Sequence, residues 1–413
     1  MTNDVFAGKK VLVFEALAYH DRILSPVMRQ LKERGATIEY FTAQAEAAFE
    51  ITFKKNGLPF FHVNDFLSPS IIAQVNEAYT MLSKRWQKLL LRDENLQHVP
   101  VIILDKILRA AIEAHFGIGA LMDDLKPDIV FSLHELNSWG VSTGYCAKAR
   151  GLPFFTFQEG KCYSAIPMYR GHAYYSDACF LWGEADKSVL LAAGNDSAKL
   201  PIVGNIDLPP AIRESSTQER IADTRQKYDI KEGQKLILFL MGFATYAQLQ
   251  SPAFIRFLWE HPEYVCVFKF HPIQGADIVR LSMSILGQIP STRTVSGDAS
   301  PYDLIAAAAA CVLVGASTTG IEAMAFNKPL VEIPLVDSTY SYADQGAVPP
   351  AATIEDAAAI SHKLISEGLT PEWKEKHESF LRLHFANYVG DGVFVDNAPE
   401  KVVSIVESVL TAK

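Results

Sequence analysis

The sequence predicts an α/β protein of two doubly wound parallel sheets facing one another across a cleft. Three observations predict it. Short, wholly apolar runs alternate with helix-length segments, the pattern of strands covered on both faces. The alternation occurs twice, with a stretch rich in proline and charge at 207–234 between the two series. The 413 residues also suffice for two or three domains, each with its own core.

The elements follow in order. VLVFEAL from Val11 reads as a strand. Ile23, Val27, Met28 and Leu31 recur at helical spacing behind a start at His20-Asp21, where an aspartate can accept first-turn N–H groups. Gly35 ends that helix and a second strand runs from Ile38 to Phe41, so the chain begins β-α-β. Residues 70–125 read as mainly helical, with Trp86, Leu89, Leu90, Ile107, Leu108 and Ile112 as buried faces. PDIVFSLHE (127–135), LPFFTFQEG (152–160), ACFLWG (178–183) and LPIVGN (200–205) each read as a strand running into a loop. In the second series the strands are 235–241, Val265 to Phe270, Arg293 to Val295, Cys311 to Val314 and Leu330 to Ile333. Ala306 to Ala310 reads as helical, and a helix from Pro399 to Leu410 closes the chain. The division is 1–206, a connecting segment 207–234, 235–396, and a final helix within 397–413 that packs back on the first unit.

Composition narrows the function classes. Hydrophobic residues at 49% and charged residues at 21% exclude a disordered or collagen-like chain. A net charge of -9 argues against a protein that coats nucleic acid. The five cysteines are odd in number and show no C-x-x-C spacing, so neither a disulfide framework nor a zinc knuckle is indicated. No apolar run reaches the roughly 18 residues of a membrane span, and MTNDVFAGKK lacks the apolar stretch of a signal peptide. A cytoplasmic location is expected.

In sheets of this kind ligands gather at the carboxyl ends of the strands, and three such ends carry chemistry. Ser317, Thr318 and Thr319 follow a strand and open a helix, where free N–H groups and the dipole favour an anion. N-capping alone explains such residues equally well; three hydroxyls before Gly320 shift the reading to phosphate. His271 ends VFKFHP with its backbone restricted by the following proline, placed to donate to phosphate or to act as an acid. Glu159 in FQEG is the candidate general base or nucleophile, against the alternative of a loop glutamate paired with a cation. His134 and Glu135 offer a second acid/base pair, and His20 stands in a loop, 16–21, that can meet an acceptor. Gly242, Lys269 and Glu322 complete the phosphate-side candidates. There is no H-E-x-x-H, G-x-S-x-G or G-K-[ST], and no D-x-D pair, so no metal ligand is assigned.

With Glu159-Gly160, His271-Pro272 and Ser317-Thr318 in this order, the chain resembles the GT-B glycosyltransferase superfamily of paired Rossmann-like domains. Within it, the likeness is to bacterial capsule and lipopolysaccharide enzymes that use CMP- or CDP-linked donors, among them Kdo transferases and sialyltransferases. The resemblance implies an acceptor-side first domain and a nucleotide-binding second one. It implies Glu159 as acid/base, with His271 and the hydroxyls on the nucleotide phosphate. It further implies a nucleotide-sugar donor, CMP-linked, as substrate; a glycan or glycolipid acceptor; no cofactor; no required metal; no nucleic-acid partner; and at most peripheral contact with the cytoplasmic face of the inner membrane. One departure is Gln158-Glu159 where many relatives have an acidic pair. UDP-N-acetylglucosamine 2-epimerases share the layout, but ASTTGIEAM lacks their paired glutamates. The same phosphate-side residues are also compatible with a CDP-polyol phosphotransferase or a non-catalytic nucleotide-sugar binder.

Overall fold

Strand β1 (Lys10–Phe14) alternates its apolar side chains between two layers, as a pleated backbone buried on both faces must. Val11 and Val13 pack with Ile23, Leu24 and Val27 of helix α1 (His20–Glu33), while Leu12 and Phe14 pack with Ile118 and Leu121 on the other face. The computed structural model from which this is read describes residues 4–15, 20–43, 59–90, 92, 101–162, 172–242, 251–271, 276–295, 300–315, 317–334 and 340–412.

The first sheet adds β2 (Thr37–Thr42), β3 (Phe60–His62), β4 (Ile129–Ser132), β5 (Phe154–Phe157) and β6 (Ala178–Phe180) in the spatial order β3-β2-β1-β4-β5-β6. All its pairings are parallel, so the strand order reverses beside β1 and the carboxyl ends of β1, β4 and β5 open at one edge. Helices α2 (Pro69–Leu90), α3 (Val101–Leu125), α4 (Ser138–Ala149) and α5 (Glu184–Ala192) belong to this unit. The second sheet runs β11-β10-β7-β8-β9, again parallel, from β7 (Lys235–Met241), β8 (Tyr264–Phe270), β9 (Thr292–Val295), β10 (Ala310–Val314) and β11 (Leu330–Ile333). Its helices are α8 (Pro252–Glu260), α9 (Ala276–Leu286), α10 (Pro301–Ala307), α11 (Thr318–Ala325), α12 (Ile354–Glu367) and α13 (Pro371–His384).

Between the sheets, the segment expected as a connection is itself helical: α6 (Leu208–Ser215) and α7 (Gln218–Lys227) both pack on α10. Its Pro209-Pro210 pair sits in the first turn of α6, where the missing N–H groups cost nothing. A second crossing follows α13. Ala386 N–H donates to Trp182 O, and Asn387 exchanges two hydrogen bonds with the backbone of Asn205 at 3.0 and 2.9 Å. The approach is close enough to demand glycine: a Cβ on Gly183 would lie 2.4 Å from His384 O, and one on Gly204, at φ +100, 2.5 Å from the Asn387 side chain. The chain then ends in a hairpin, β12 (Tyr388–Gly390) and β13 (Val393–Phe394), and in helix α14 (Ala398–Ala412). Val402, Val403 and Val406 of α14 join the core around β1 and α1, and Arg34 pairs with Glu407.

Three expectations are corrected. LPIVGN forms one bridge, Leu181 to Ile202, rather than a strand, because the backbone beyond it turns at Gly204 to meet Asn387. The alanine run is helical only to Ala307, and Ala310 already belongs to β10. Of the faces expected to be buried on α2 and α3, Ile112 is buried, Trp86 and Leu108 are partly covered, and Leu89 and Ile107 stand 52% and 54% exposed. Helix α2 packs on α3, and a helix pair alone cannot close a core. The Leu90 side chain lies outside the described residues. All five cysteines are buried and unpaired, and among the described residues no helix is long and apolar enough to cross a membrane.

Candidate active site

The turn after β5 is shaped by Gln158. Its side-chain carbonyl accepts Trp182 N–H at 2.9 Å and its amide donates to Gly160 O at 3.1 Å, folding the chain so that Glu159 leaves the sheet edge. Glu159 Oε2 lies 2.8 Å from His134 Nε2 at the end of β4, with the two side chains 28% and 12% exposed. His134 Nδ1 accepts the N–H of Leu136 at 3.2 Å. That bond assigns the neutral tautomer: the ring proton sits on Nε2 and is donated to the carboxylate. His134 therefore orients Glu159 rather than competing with it for a proton.

Two further imidazoles surround this pair. The His20 ring, at the start of α1, is centred 6.3 Å from that of His134. Burial pushes its pKa down to about 4 against the pull of Glu159, with His134 acting in the same direction as burial. His172 is likewise pushed down to about 4 by burial, then by His134. Both stay neutral at pH 7, so they surround Glu159 with polar but uncharged rings. Glu135 is not part of the group. Its two oxygens accept the backbone N–H groups of Tyr175 and Ser176 at 2.7 and 2.8 Å.

Across from this edge stands the start of α11. Ser317 is its N-cap, with its hydroxyl 2.9 Å from that of Thr319 and its carbonyl accepting Tyr342 OH at 2.8 Å. Thr318 Oγ1 accepts Lys161 N–H at 3.2 Å, and a Cβ on Gly160 would lie 3.0 Å from the same oxygen. The Glu159-Gly160-Lys161 turn of the first unit thus rests directly on the hydroxyl-rich helix start of the second.

Lys161 was not legible as a site residue. Its ammonium is buried, 3.2 and 3.1 Å from the two ring nitrogens of His384 and 4.4 Å from the centre of the Tyr340 ring. Asp186, fully buried, accepts Cys162 N–H at 2.8 Å and lies 3.5 Å from His384 Nδ1. Burial acts to raise the Asp186 pKa, but His384, Lys161 and the Cys162 N–H together hold it below the usual carboxylate range. Burial lowers the pKa of Lys161. These contacts fix the backbone on the far side of Glu159.

Glu322, one turn into α11, accepts Tyr302 OH at 3.0 Å, and the same hydroxyl lies 3.1 Å from Asp207 Oδ2. Arg22 of α1 is 3.7 Å from Asp207 and stacks over the Tyr302 ring at 4.9 Å. One phenolic proton serves two carboxyls. Burial, then Asp207, raise the Glu322 pKa to about 7 against Arg22.

The remaining candidates share the carboxyl edge of the second sheet. Gly242 N–H donates to Val314 O at 2.9 Å, tying the ends of β7 and β10 together. His271 N–H donates to Met241 O at 3.1 Å, and its half-buried imidazole has a pKa lowered by burial and then by Lys269. Lys269 is buried in β8. Strand β7 lies between His271 and the strand that leads to Ser317. Residues 16–19 of the N-terminal loop, Phe243 and Pro272 lie outside the described residues.

No protein-family profile matches the chain, and no curated protein matches it. Solved structures do. UDP-GlcNAc 2-epimerase from Neisseria meningitidis, bound to UDP-GlcNAc, superposes with a TM-score of 0.64 over 97% of this chain and 100% of that one, at 12% identity. A glycosyltransferase from Rickettsia africae gives 0.58 over 98% and 99%, at 14% identity. Anabaena Alr3699/HepE in complex with UDP-glucose gives 0.54 over 97% and 99%, at 12% identity. The fold is GT-B-like. This GT-B-like likeness spans the whole chain and is one of fold; the narrower resemblance to Kdo transferases and sialyltransferases is not shown by it.

Proposed function

We propose that the protein is a glycosyltransferase that moves a sugar from a uridine diphosphate sugar to a glycan or glycolipid hydroxyl, with Glu159 as the general base. The observation that carries this is the Glu159–His134 pair seated against the N-terminus of α11. Glu159 would take the acceptor proton as the acceptor oxygen bonds to the anomeric carbon. The bond from that carbon to the diphosphate breaks, and its electron pair leaves with UDP. Charge gathering on the diphosphate is met by the free N–H groups of α11, by Ser317, Thr318 and Thr319, and by His271, so that no metal is required. The nucleotides in the similar structures are UDP and UDP-sugars, which favours uridine over the CMP-linked donor and leaves the Kdo reading without support.

One observation favours a second reading. The UDP-GlcNAc 2-epimerase structures superpose at 0.64, above the 0.54 to 0.58 of the Rickettsia and Anabaena proteins. One experiment separates the two. Incubation with UDP-GlcNAc and UDP-glucose, with and without oligosaccharide and lipid-linked acceptors, gives acceptor-dependent UDP release for a transferase. Inversion at C2 with solvent deuterium incorporated there, in the absence of acceptor, would replace the transferase reading with the epimerase one.

A further inference from the structure

The edge of the second sheet opposite the nucleotide edge carries a second cluster. The turn between α8 and β8 is closed by Tyr264 N–H donating to His261 O, with Pro262 at the position where its fixed φ suits a turn. This places His261 and Glu263 together: Nδ1 of the histidine lies 3.0 Å from the Glu263 carboxylate. Helix α12 brings His362 alongside, its ring centred 4.6 Å from that of His261. One donor atom from each of the three residues can be chosen so that all lie within 4.8 Å of one another. We propose that His261, Glu263 and His362 form a binding site for a divalent transition metal, zinc by preference, which clamps the end of α8 to α12.

The donor set makes the choice of ion. Two imidazoles and one carboxylate suit zinc, nickel or copper, and not the hard cations magnesium and calcium, which take oxygen. Tetrahedral zinc with ligands at about 2.0–2.1 Å asks for donor separations near 3.3 Å, so the two histidines close on the ion by a small movement of partly exposed rings. A hydrogen bond that can set the tautomer of one ligand is in place. Tyr264 OH lies 2.8 Å from His362 Nδ1. When that nitrogen donates its proton to the phenol oxygen, Nε2 carries the free lone pair that a metal needs. In the absence of metal, His261 Nδ1–H donates to Glu263; a metal that takes Nδ1 requires the other neutral tautomer, with the ring proton moved to Nε2.

The site stands apart from the candidate active site, and its three protein donors leave a fourth zinc position to water. It lies at the start of β8, whereas His271 follows its end, and seven residues of strand put about 20 Å between them. The proposal is independent of the reaction assigned above.

The test uses the full chain, stripped with a chelator and dialysed. Cobalt titration followed by its visible ligand-field band, and zinc titration by calorimetry, should each show one ion per chain. Saturating zinc should raise Tm by about 5 °C, the linkage expected of a ligand that binds only the folded state. H261A and H362A should each weaken zinc at least 10-fold and abolish the Tm rise, and Tyr264→Phe should weaken it less, while UDP affinity stays as in the parent chain. Zinc uptake undiminished in the H261A/H362A double variant, or no saturable uptake by the parent chain, overturns the proposal.

Discussion

The N–H of Lys161 donates to Thr318 Oγ1 across the boundary between the two units, joining the turn that carries Glu159 to the start of α11. Replacing Thr318 with valine keeps the shape and removes the acceptor, leaving a part-buried N–H unpaired at a cost of about 1–2 kcal/mol. Thr318→Val should lower urea stability by about that amount and weaken UDP binding, and Thr318→Ser should restore both. A valine variant equal to the parent chain in both measurements would show that the joint does not couple base and nucleotide.

Glu159→Gln should reduce turnover by about 100-fold or more while leaving UDP affinity nearly intact, the signature of a lost proton acceptor rather than a lost binding group. His134→Phe should cost less, since His134 orients the carboxylate and does not touch the transferred proton. Steady-state rates with calorimetric UDP affinities decide the matter. Near-parental turnover for Glu159→Gln would remove Glu159 from the mechanism.

Backbone rules made the helix start legible, because Ser317 as a cap is a demand of local geometry. The alternation of apolar runs likewise placed β7, β8, β10 and β11 of the second sheet, since a strand covered on both faces leaves a continuous apolar signature. What could not be read was pairing between distant segments. Lys161 meets His384 across 223 residues, and nothing local to either announces it. His134 and Glu135 read as one acid/base pair as neighbours in sequence, yet in the turn beyond β4 one reaches Glu159 and the other the backbone at 175–176. Gln158, which in the sequence stands out only as a departure from an acidic pair, is the residue that shapes the turn. The exposure of Leu89 and Ile107 has the same origin: helical periodicity marks an apolar face but not what covers it.

The Tyr302 bridge gives a pH dependence with a definite sign. Glu322 titrates at about 7 in the folded chain, raised first by burial, from an ordinary 4.5. Between these values the folded state holds a proton that the unfolded state has released. The stability it contributes is full below pH 4.5 and is lost as pH rises through 7. Glu322→Gln keeps a neutral partner for Tyr302 and cannot titrate. The Tm difference between the parent chain and Glu322→Gln, measured from pH 5 to pH 8, should therefore move against the parent chain as pH rises. A constant difference would mean that Glu322 is already ionised at pH 5.

The buried cluster behind Glu159 predicts a non-additive pair of substitutions. Lys161→Met removes the ammonium whose charge favours the ionised, fully buried Asp186 and leaves His384 and the Cys162 N–H as its partners, so the cost approaches the about 3–5 kcal/mol of a buried charge that loses its counter-charge. Asp186→Asn alone keeps an oxygen to accept Cys162 N–H but takes away the negative charge that faces the Lys161 ammonium, so it too should destabilise strongly. Combining the two leaves a neutral cluster in which the amide still holds the Cys162 N–H and methionine fills the space beside Tyr340 and Phe380. The double variant should recover most of the stability lost by either single change, with a coupling energy of about 2 kcal/mol or more in urea denaturation. Single effects that simply add would show that Lys161 and Asp186 do not neutralise each other, and would leave the Lys161 contact to His384 as the main restraint on that side of the Glu159 turn.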